Sequence, residues 1–325
     1  MIGNINIISI LSDAISMGTV FLFGCIGEII NEKAGNLNLG IPGIMCCGAL
    51  GGGFGVWLCS AGATDAAASP AWVFVLVSIL FSMLFAAAAS AIYAFLTVSL
   101  KTNQSVAGLA LTTFGVGFMK FFAKKINNDI VFHNCSYYFK HLFGDVGNDA
   151  FSKIFLSHGI LVYLAIIVAV VTSVFLRKTR LGLNLRAVGE NPATADAVGL
   201  NVSGYKYAFI LIGGAISGLG GLYYVMDKSN GTTFAEASID AFGWMAVALV
   251  IATMWKPVVA IFGSILFGGL SVLSAYLPLS FNQIKIFGMV PYIITVLVLI
   301  FIRIFNSKNN QPPASLGLSY FREER

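Results

Sequence analysis

Long apolar runs recur nine times along this chain, and only 19 Lys and Arg and 14 Asp and Glu stand among its 325 residues. Charged residues make up 10% of the total and hydrophobic ones 58%, whereas a soluble domain carries about 25% charged residues. So few charges cannot clothe a water-facing surface of this size. The 35 glycines and 27 phenylalanines separate the chain from polar, disordered sequence. Soluble enzymes, nucleic-acid modules and disordered scaffolds are therefore excluded as classes, and an integral membrane protein is expected. The period-two alternation of barrel strands is not seen, so the fold class is all-α and polytopic.

The runs extend over Ile7–Ile30, Ile44–Leu58, Ala71–Leu100, Val106–Phe122, Ile154–Leu176, Tyr207–Met226, Phe242–Met254, Pro257–Leu277 and Phe287–Ile304. Two are short. Ile44–Leu58 and Phe242–Met254 hold 15 and 13 residues, about 20 Å of helix against about 30 Å of hydrocarbon. The first is also expected to be broken by Gly40, Pro42 and Gly43 on entry and by Gly48, Gly51, Gly52, Gly53 and Gly55 within. Each short run follows a long one and precedes two more, so the order long, short, long, long stands on both sides of the fifth run. With a single span between them, the second quartet starts on the opposite face. That arrangement predicts two inverted repeats, about 7–122 and 207–304, with a linking span at about 154–176. All of this lies in a transmembrane domain 1–305, followed by a polar tail 306–325. Short or broken helices at matching places point to a transport pathway; two buried packing helices are the plainer alternative. Glycine pairs at four-residue spacing, Gly48 with Gly52, Gly51 with Gly55 and Gly214 with Gly218, are expected to serve close helix packing.

Orientation follows from the basic residues, which concentrate on the cytoplasmic side. Arg177, Lys178, Arg180, Arg186 and Lys206 surround one connection, and Arg303, Lys308, Arg322 and Arg325 follow the last run. With both inside, the N-terminus is outside, the C-terminus is cytoplasmic, and 12 of the 19 basic residues are inside. Lys120, Lys124, Lys125, Lys140 and Lys153 remain in a long external loop, together with Asp129, Asp145 and Asp149. The opening MIGNINIISI lacks a basic region and a small-residue cleavage site, so no cleavable signal is expected. The net charge of +5 fits the positive-inside bias and gives no nucleic-acid footprint.

Polar groups at membrane depth are costly and serve as the first functional candidates. Asp13 lies in the first run, Glu28 at its end, Asn36 and Asn38 before the first short helix, and Asp240 and Trp244 at the opening of the second. Glu28, Asn36, Asn38, Asp240 and Trp244 would suit a sugar or nucleobase, since Asn gives and takes hydrogen bonds and Trp stacks on a flat ring. Alternatively, Glu28, Glu32 and Lys33 lie in cytoplasmic water and Asn36 only caps a helix. No acidic pair deep in the spans suggests itself for ion binding or proton relay. There is no phosphate loop, HExxH or GxSxG, so no catalytic site is expected. Cys25, Cys46, Cys47, Cys59 and Cys135 form no CxxC and read as small hydrophobes; with only His133, His141 and His158 beside them, neither metal nor cofactor is expected.

The connection from Arg177 to Lys206 carries the clearest local signal. Asn191 is a good N-cap, Pro192 fits the first helical position, and Gly199 suits the residue after the last turn. Residues Ala193 to Val198 between them should form a short surface helix, either a docking peg for a cytoplasmic partner or a tidy connection.

From Arg186 the text runs Ala-Val-Gly-Glu-Asn-Pro-Ala-Thr-Ala-Asp-Ala-Val-Gly-Leu-Asn-Val, which resembles the coupling segment of bacterial ABC-importer permeases. Two other stretches agree: Gly27-Glu-Ile-Ile-Asn-Glu-Lys-Ala-Gly-Asn-Leu-Asn-Leu-Gly, and Ile212-Gly-Gly-Ala-Ile-Ser-Gly-Leu-Gly-Gly with Gly243-Trp-Met-Ala-Val-Ala-Leu after it. The superfamily serves branched-chain amino acids, ribose and other sugars, and nucleosides; the pairing of the first and second stretches is most similar to its nucleoside, guanosine-type members. The chain departs from that pattern at Pro42 and Lys256. The resemblance implies a bacterial plasma-membrane permease with several partners: ABC ATPase subunits, a second and non-identical permease, and an extracellular substrate-binding lipoprotein. It further implies that Arg186, Glu190, Asn191, Pro192, Asp196 and Gly199 meet the ATPase, which would hydrolyse the ATP. The alternative is a free-standing ion-coupled transporter or channel.

Overall fold

The computed structural model describes residues 7–60, 71–126, 129–140, 149–231, 235–277, 280–305 and 311–321. His141, Asp145, Lys308, Arg322 and Arg325 lie outside the described residues. Among the described residues thirteen α-helices follow one another: α1 (Ile7–Lys33), α2 (Ile41–Ser60), α3 (Ala71–Ala94), α4 (Gln104–Ile126), α5 (Asp129–Lys140), α6 (Ile160–Lys178), α7 (Arg180–Glu190), α8 (Pro192–Ala197), α9 (Val202–Tyr223), α10 (Glu236–Ala252), α11 (Pro257–Tyr276), α12 (Phe281–Phe287) and α13 (Val290–Phe305). π-helical turns extend α3 through Ser99 and α9 through Lys228, and another spans Ser152–Leu156 ahead of α6. Among the described residues no strand occurs, and seven helices are long and apolar enough to cross a membrane. In lipid the backbone must satisfy its polar groups within the segment, and helices do this. The protein is a multi-pass membrane protein.

The two predicted sets of four helices interleave. With α1 to α4 set against α9, α10, α11 and α13, the first helix of each repeat packs on the third of the other: α1 on α11, and α9 on α3. The first of each also packs on the second of the other, α1 on α10 and α9 on α2. α1 and α9 run antiparallel, since Ser16 meets Tyr223 (2.9 Å) at one end and Gly27 meets Gly213 toward the other. Equivalent first helices pointing in opposite directions are the mark of inverted repeats. Both exchanged interfaces depend on small residues: Gly18 and Gly268 lie against the backbone of Ser264 and Ala14, and Gly214 and Gly218 against Ser90 and Ala86. Small residues admit this close approach, which gives helices in lipid their packing contacts.

Three sequence expectations change. α2 is not short or broken; it is a continuous helix of 20 residues. Its glycines cost helix propensity in water, about 1 kcal/mol each, but inside the bundle they let other backbones approach. Gly48 abuts Gly218, Gly221 abuts the Met45 carbonyl, and Gly51 and Gly55 abut the third helix. α10 is the shorter of the pair at 17 residues, and it begins at Glu236 rather than Phe242, so Asp240 and Trp244 stand inside it. The linking span begins at Ile160, after the break at Ser157, His158 and Gly159. The five cysteines are free, and four of them are buried.

Candidate coupling and substrate-pathway sites

α6 gives way to α7 at Thr179, whose hydroxyl accepts from Gly182 N–H (3.0 Å) and caps the new helix. The sequence reading missed α7, although Thr179 and the spacing of the buried Leu185 and Val188 announce it. Asn191 then serves twice. Its N–H donates to the Ala187 carbonyl (2.9 Å) to close α7, and its side-chain oxygen accepts from Thr194 N–H (3.0 Å) to open α8. Pro192 takes the first helical position, and Gly199 ends the element at φ +89°, as expected for the left-handed residue after a helix. Val188, Ala195 and Val202 form a small apolar cluster beneath α8, while Asn191, Ala193, Thr194, Ala197 and Val198 are exposed. Arg186 and Glu190 therefore belong to α7, with Glu190 at its exposed end, and Pro192 and Asp196 to α8.

Residues 311–321 fold back over this structure instead of trailing away. Ser315 donates to the Gly189 carbonyl from its N–H (3.1 Å) and from its hydroxyl (2.5 Å). Ala314 N–H reaches Glu190 Oε2 (3.2 Å), Gly317 N–H reaches the Gly35 carbonyl (3.3 Å), and Tyr320 O–H reaches Asp196 Oδ2 (2.8 Å). Nothing in composition marks 311–321 as ordered; these contacts are made by backbone and two hydroxyls, which carry no sequence period.

The α1–α2 connection lies at the same end and is enclosed. Glu28 is fully buried; its carboxylate accepts from Asn38 N–H (3.0 Å) and Asn31 Nδ2–H (3.1 Å). Gln104 of α4 accepts from Leu37 N–H (2.8 Å), Tyr93 of α3 donates to the Leu37 carbonyl (2.7 Å), and Thr112 of α4 donates to the Leu39 carbonyl (2.9 Å). A buried loop needs such partners for its backbone. Glu32 is buried one turn after Glu28, hydrogen-bonds to it, and accepts from Trp255 Nε1–H. An acidic pair is thus buried, contrary to expectation, and neither carboxylate stands in water. Asn36 does not cap α2; it lies inside the connection, and its side-chain amide and the Asn38 Nδ2 find no hydrogen-bond partner among the described residues. Asp13, at the opposite end, pairs with Lys228 (3.8 Å) and accepts from Tyr276 O–H (2.5 Å).

Asp240 and Trp244 are brought together on a different element. They stand one turn apart on α10, with the Asp240 Oδ1 buried and without a hydrogen-bond partner among the described residues and the exposed Tyr292 of α13 within electrostatic reach. Ala237 and Ala241 continue this face and are exposed, and Ala248 is half-exposed. The opposite face is closed, Gly243 lying against Pro42. One acidic acceptor flanked by two aromatic rings on a face of small residues can stack a flat ring and hold a hydroxyl or amine. Glu28, Asn36 and Asn38 are not on this face; they lie at the α1–α2 connection.

Interleaved, oppositely directed helices of membrane length, with two capped helices at one end, describe the membrane-embedded body of a transport system. The chain belongs to the family described as branched-chain amino acid transport system / permease component, which matches residues 10–299. It is 31% identical to the nucleoside ABC transporter permease protein NupC of Lactococcus lactis subsp. cremoris, over 97% of each chain. It is 30% identical to the guanosine ABC transporter permease protein NupQ of Bacillus subtilis, over 98% of this chain and all of that one. A glucose ABC transporter permease protein, TsgC13 of Haloferax volcanii, is 34% identical over 81% of this chain and 76% of its own.

Proposed function

We propose that this chain is the permease subunit of an ATP-driven ABC importer for nucleosides or a related sugar. α7 and α8 serve as its coupling element to a separate ATPase. The observation that carries this reading is α8, a short helix capped at both ends and presented with an exposed face at one end of the bundle. That end is cytoplasmic: Arg177, Lys178, Arg180, Arg186, Lys33, Lys101 and Lys256 gather there, as the charge bias of membrane proteins requires. A second, non-identical permease completes the pathway, and an extracellular binding lipoprotein delivers the substrate. ATP hydrolysis belongs to the partner. Full-length similarity to nucleoside and guanosine permeases supports the substrate class.

Asp240 and Trp244 are the substrate-facing pair. Movement of α8 reaches them through packed backbone: Gly189 lies against Lys33, the α1–α2 connection is held by Glu28, and Pro42 at the start of α2 lies against Gly243 of α10. Glu28, Asn36 and Asn38 act in this path, behind the substrate face. Switching between outward and inward access is then a shift of α10 relative to α2.

The test is co-purification from mild detergent with a co-expressed ABC ATPase subunit of the same organism. Ala193→Arg and Ala197→Arg add bulk to the exposed face of α8 and should abolish both ATPase capture and uptake while the permease still inserts. Normal capture and uptake in both variants would overturn the coupling role. Competition of labelled uridine uptake by guanosine, ribose and glucose decides the substrate class. The buried Glu28–Glu32 pair favours the other reading, an ion-coupled carrier. Uptake that collapses with an ionophore while ATP is maintained would establish it.

A further inference from the structure

A cavity of about 370 Å³ opens between the end of α3, the start of α9 and the C-terminal segment, lined by Thr97, Lys101, Asn201, Ser203, Lys206 and Tyr320 among others. Lys206 is only 4% exposed. Among the described residues no carboxylate pairs with it. Its position sharpens the problem. α9 has 22 residues, and Lys206 stands in its second turn, near the positive end of the helix dipole, where a cation is disfavoured. Asn201 satisfies Gly204 N–H (2.9 Å), and the N–H groups of Val202 and Ser203 belong to the open first turn. A buried, unpaired ammonium beside such a terminus is costly. An anion in the cavity removes the cost for lysine and helix terminus together. Lys101, exposed on the rim with its ammonium 4.4 Å from the centre of the Phe321 ring, adds a second positive charge. Asp196 also lines the wall, but its Oδ2 accepts from Tyr320 O–H.

We propose that this cavity binds a phosphate-bearing anion, with Lys206 and the first turn of α9 on the phosphate and Lys101 at the mouth. Two sources share this chemistry. One is the headgroup of an anionic phospholipid; the exposed Leu100 and Leu318 of neighbouring segments suit contact with acyl chains. The other is a free phosphate ester. In either case the ligand bridges α3, α9 and the segment bearing Tyr320, and so steadies α8.

Native mass spectrometry of the intact transporter complex, stripped of lipid and then offered phosphatidylglycerol, phosphatidylcholine or inorganic phosphate, tests the site. Wild-type complex should retain one phosphatidylglycerol per permease against phosphatidylcholine, or gain thermal stability with inorganic phosphate at millimolar concentration; the responding probe identifies the source. Lys206→Met should lower retention or the phosphate response at least tenfold, Lys101→Gln less, and Lys206→Arg should preserve it. Lys101→Gln, on an exposed residue, keeps the test open if Lys206→Met does not assemble. Equal binding in wild type, Lys206→Met and Lys101→Gln would overturn the proposal. So would a response of the wild-type complex to neither probe.

Discussion

α2 and α10 hold matching places in the two repeats, yet one is enclosed and the other is open along a face. α2 carries six glycines and is buried without interruption from Ile41 to Gly53. α10 carries one glycine, Gly243, pressed against Pro42, and leaves Ala237, Asp240, Ala241 and Trp244 on its free side. Inverted repeats give the same set of helices twice, but side-chain volume decides how close the neighbours come. Where glycine admits them the helix becomes a wall. Where alanine, aspartate and tryptophan stand instead, one side of the helix is left uncovered.

The largest effect should come from breaking the wall. Gly48→Leu places a branched side chain against the backbone of Gly218 and should cost at least ~3 kcal/mol, seen as loss of the monodisperse peak in fluorescence-detected size exclusion. Ala241→Leu, on the exposed face of the matching helix, should leave that peak intact. Equal behaviour of the two variants would erase the contrast between α2 and α10.

On the open side, Asp240→Asn keeps shape and removes charge. Uptake of labelled nucleoside should fall by about 10- to 100-fold, the worth of a charge-assisted hydrogen bond, with expression and ATPase capture unchanged. An unaltered transport rate would remove Asp240 from the pathway and leave α10 a packing helix like α2.

A third variant asks whether the wall transmits the partner's movement. Glu190→Lys reverses an exposed charge at the end of α7 and loses the acceptor for Ala314 N–H. ATP hydrolysed per substrate moved should rise by about tenfold, the usual size of a coupling energy, while the complex still assembles. Glu190→Gln keeps the acceptor and separates the charge from the tie to 314. The smallest effect belongs to Tyr320→Phe, which deletes the bond to Asp196 Oδ2 and should cost about 1 kcal/mol in a thermal melt of the purified complex. No change in melting would mean that 311–321 rests on α8 without bracing it.

The legible part of the molecule is local. Asn191, Pro192 and Gly199 specify α8 within nine residues of one another, and the caps appear where the residue types demand them. The long apolar runs specify spans because a segment in lipid has only its own backbone to bond. Where reading failed, a distant partner set the answer. Glycines that look like breaks in α2 proved to be contact points for α9 and α3. Glu28, placed among pathway or solvent-facing groups, has its oxygens committed to Asn38 and Asn31 in a loop enclosed by α3 and α4. Glu32 meets the Trp255 ring N–H, 223 residues further along the chain.

By itself the sequence determined that this protein is a bundle of membrane-crossing helices and that a short capped helix, α8, follows α6 and α7. Those properties depend on hydropathy summed over a window or on hydrogen bonds spanning a few residues. Only the tertiary structure decided that α1 packs on α11 and α9 on α3, that α2 is a continuous wall, that Glu28 is enclosed in the α1–α2 connection while Asp240 and Trp244 stand on α10, and that 311–321 folds over α7 and α8. Each of those depends on atoms brought together from opposite ends of the chain, where close approach and burial, rather than residue type, select the partner.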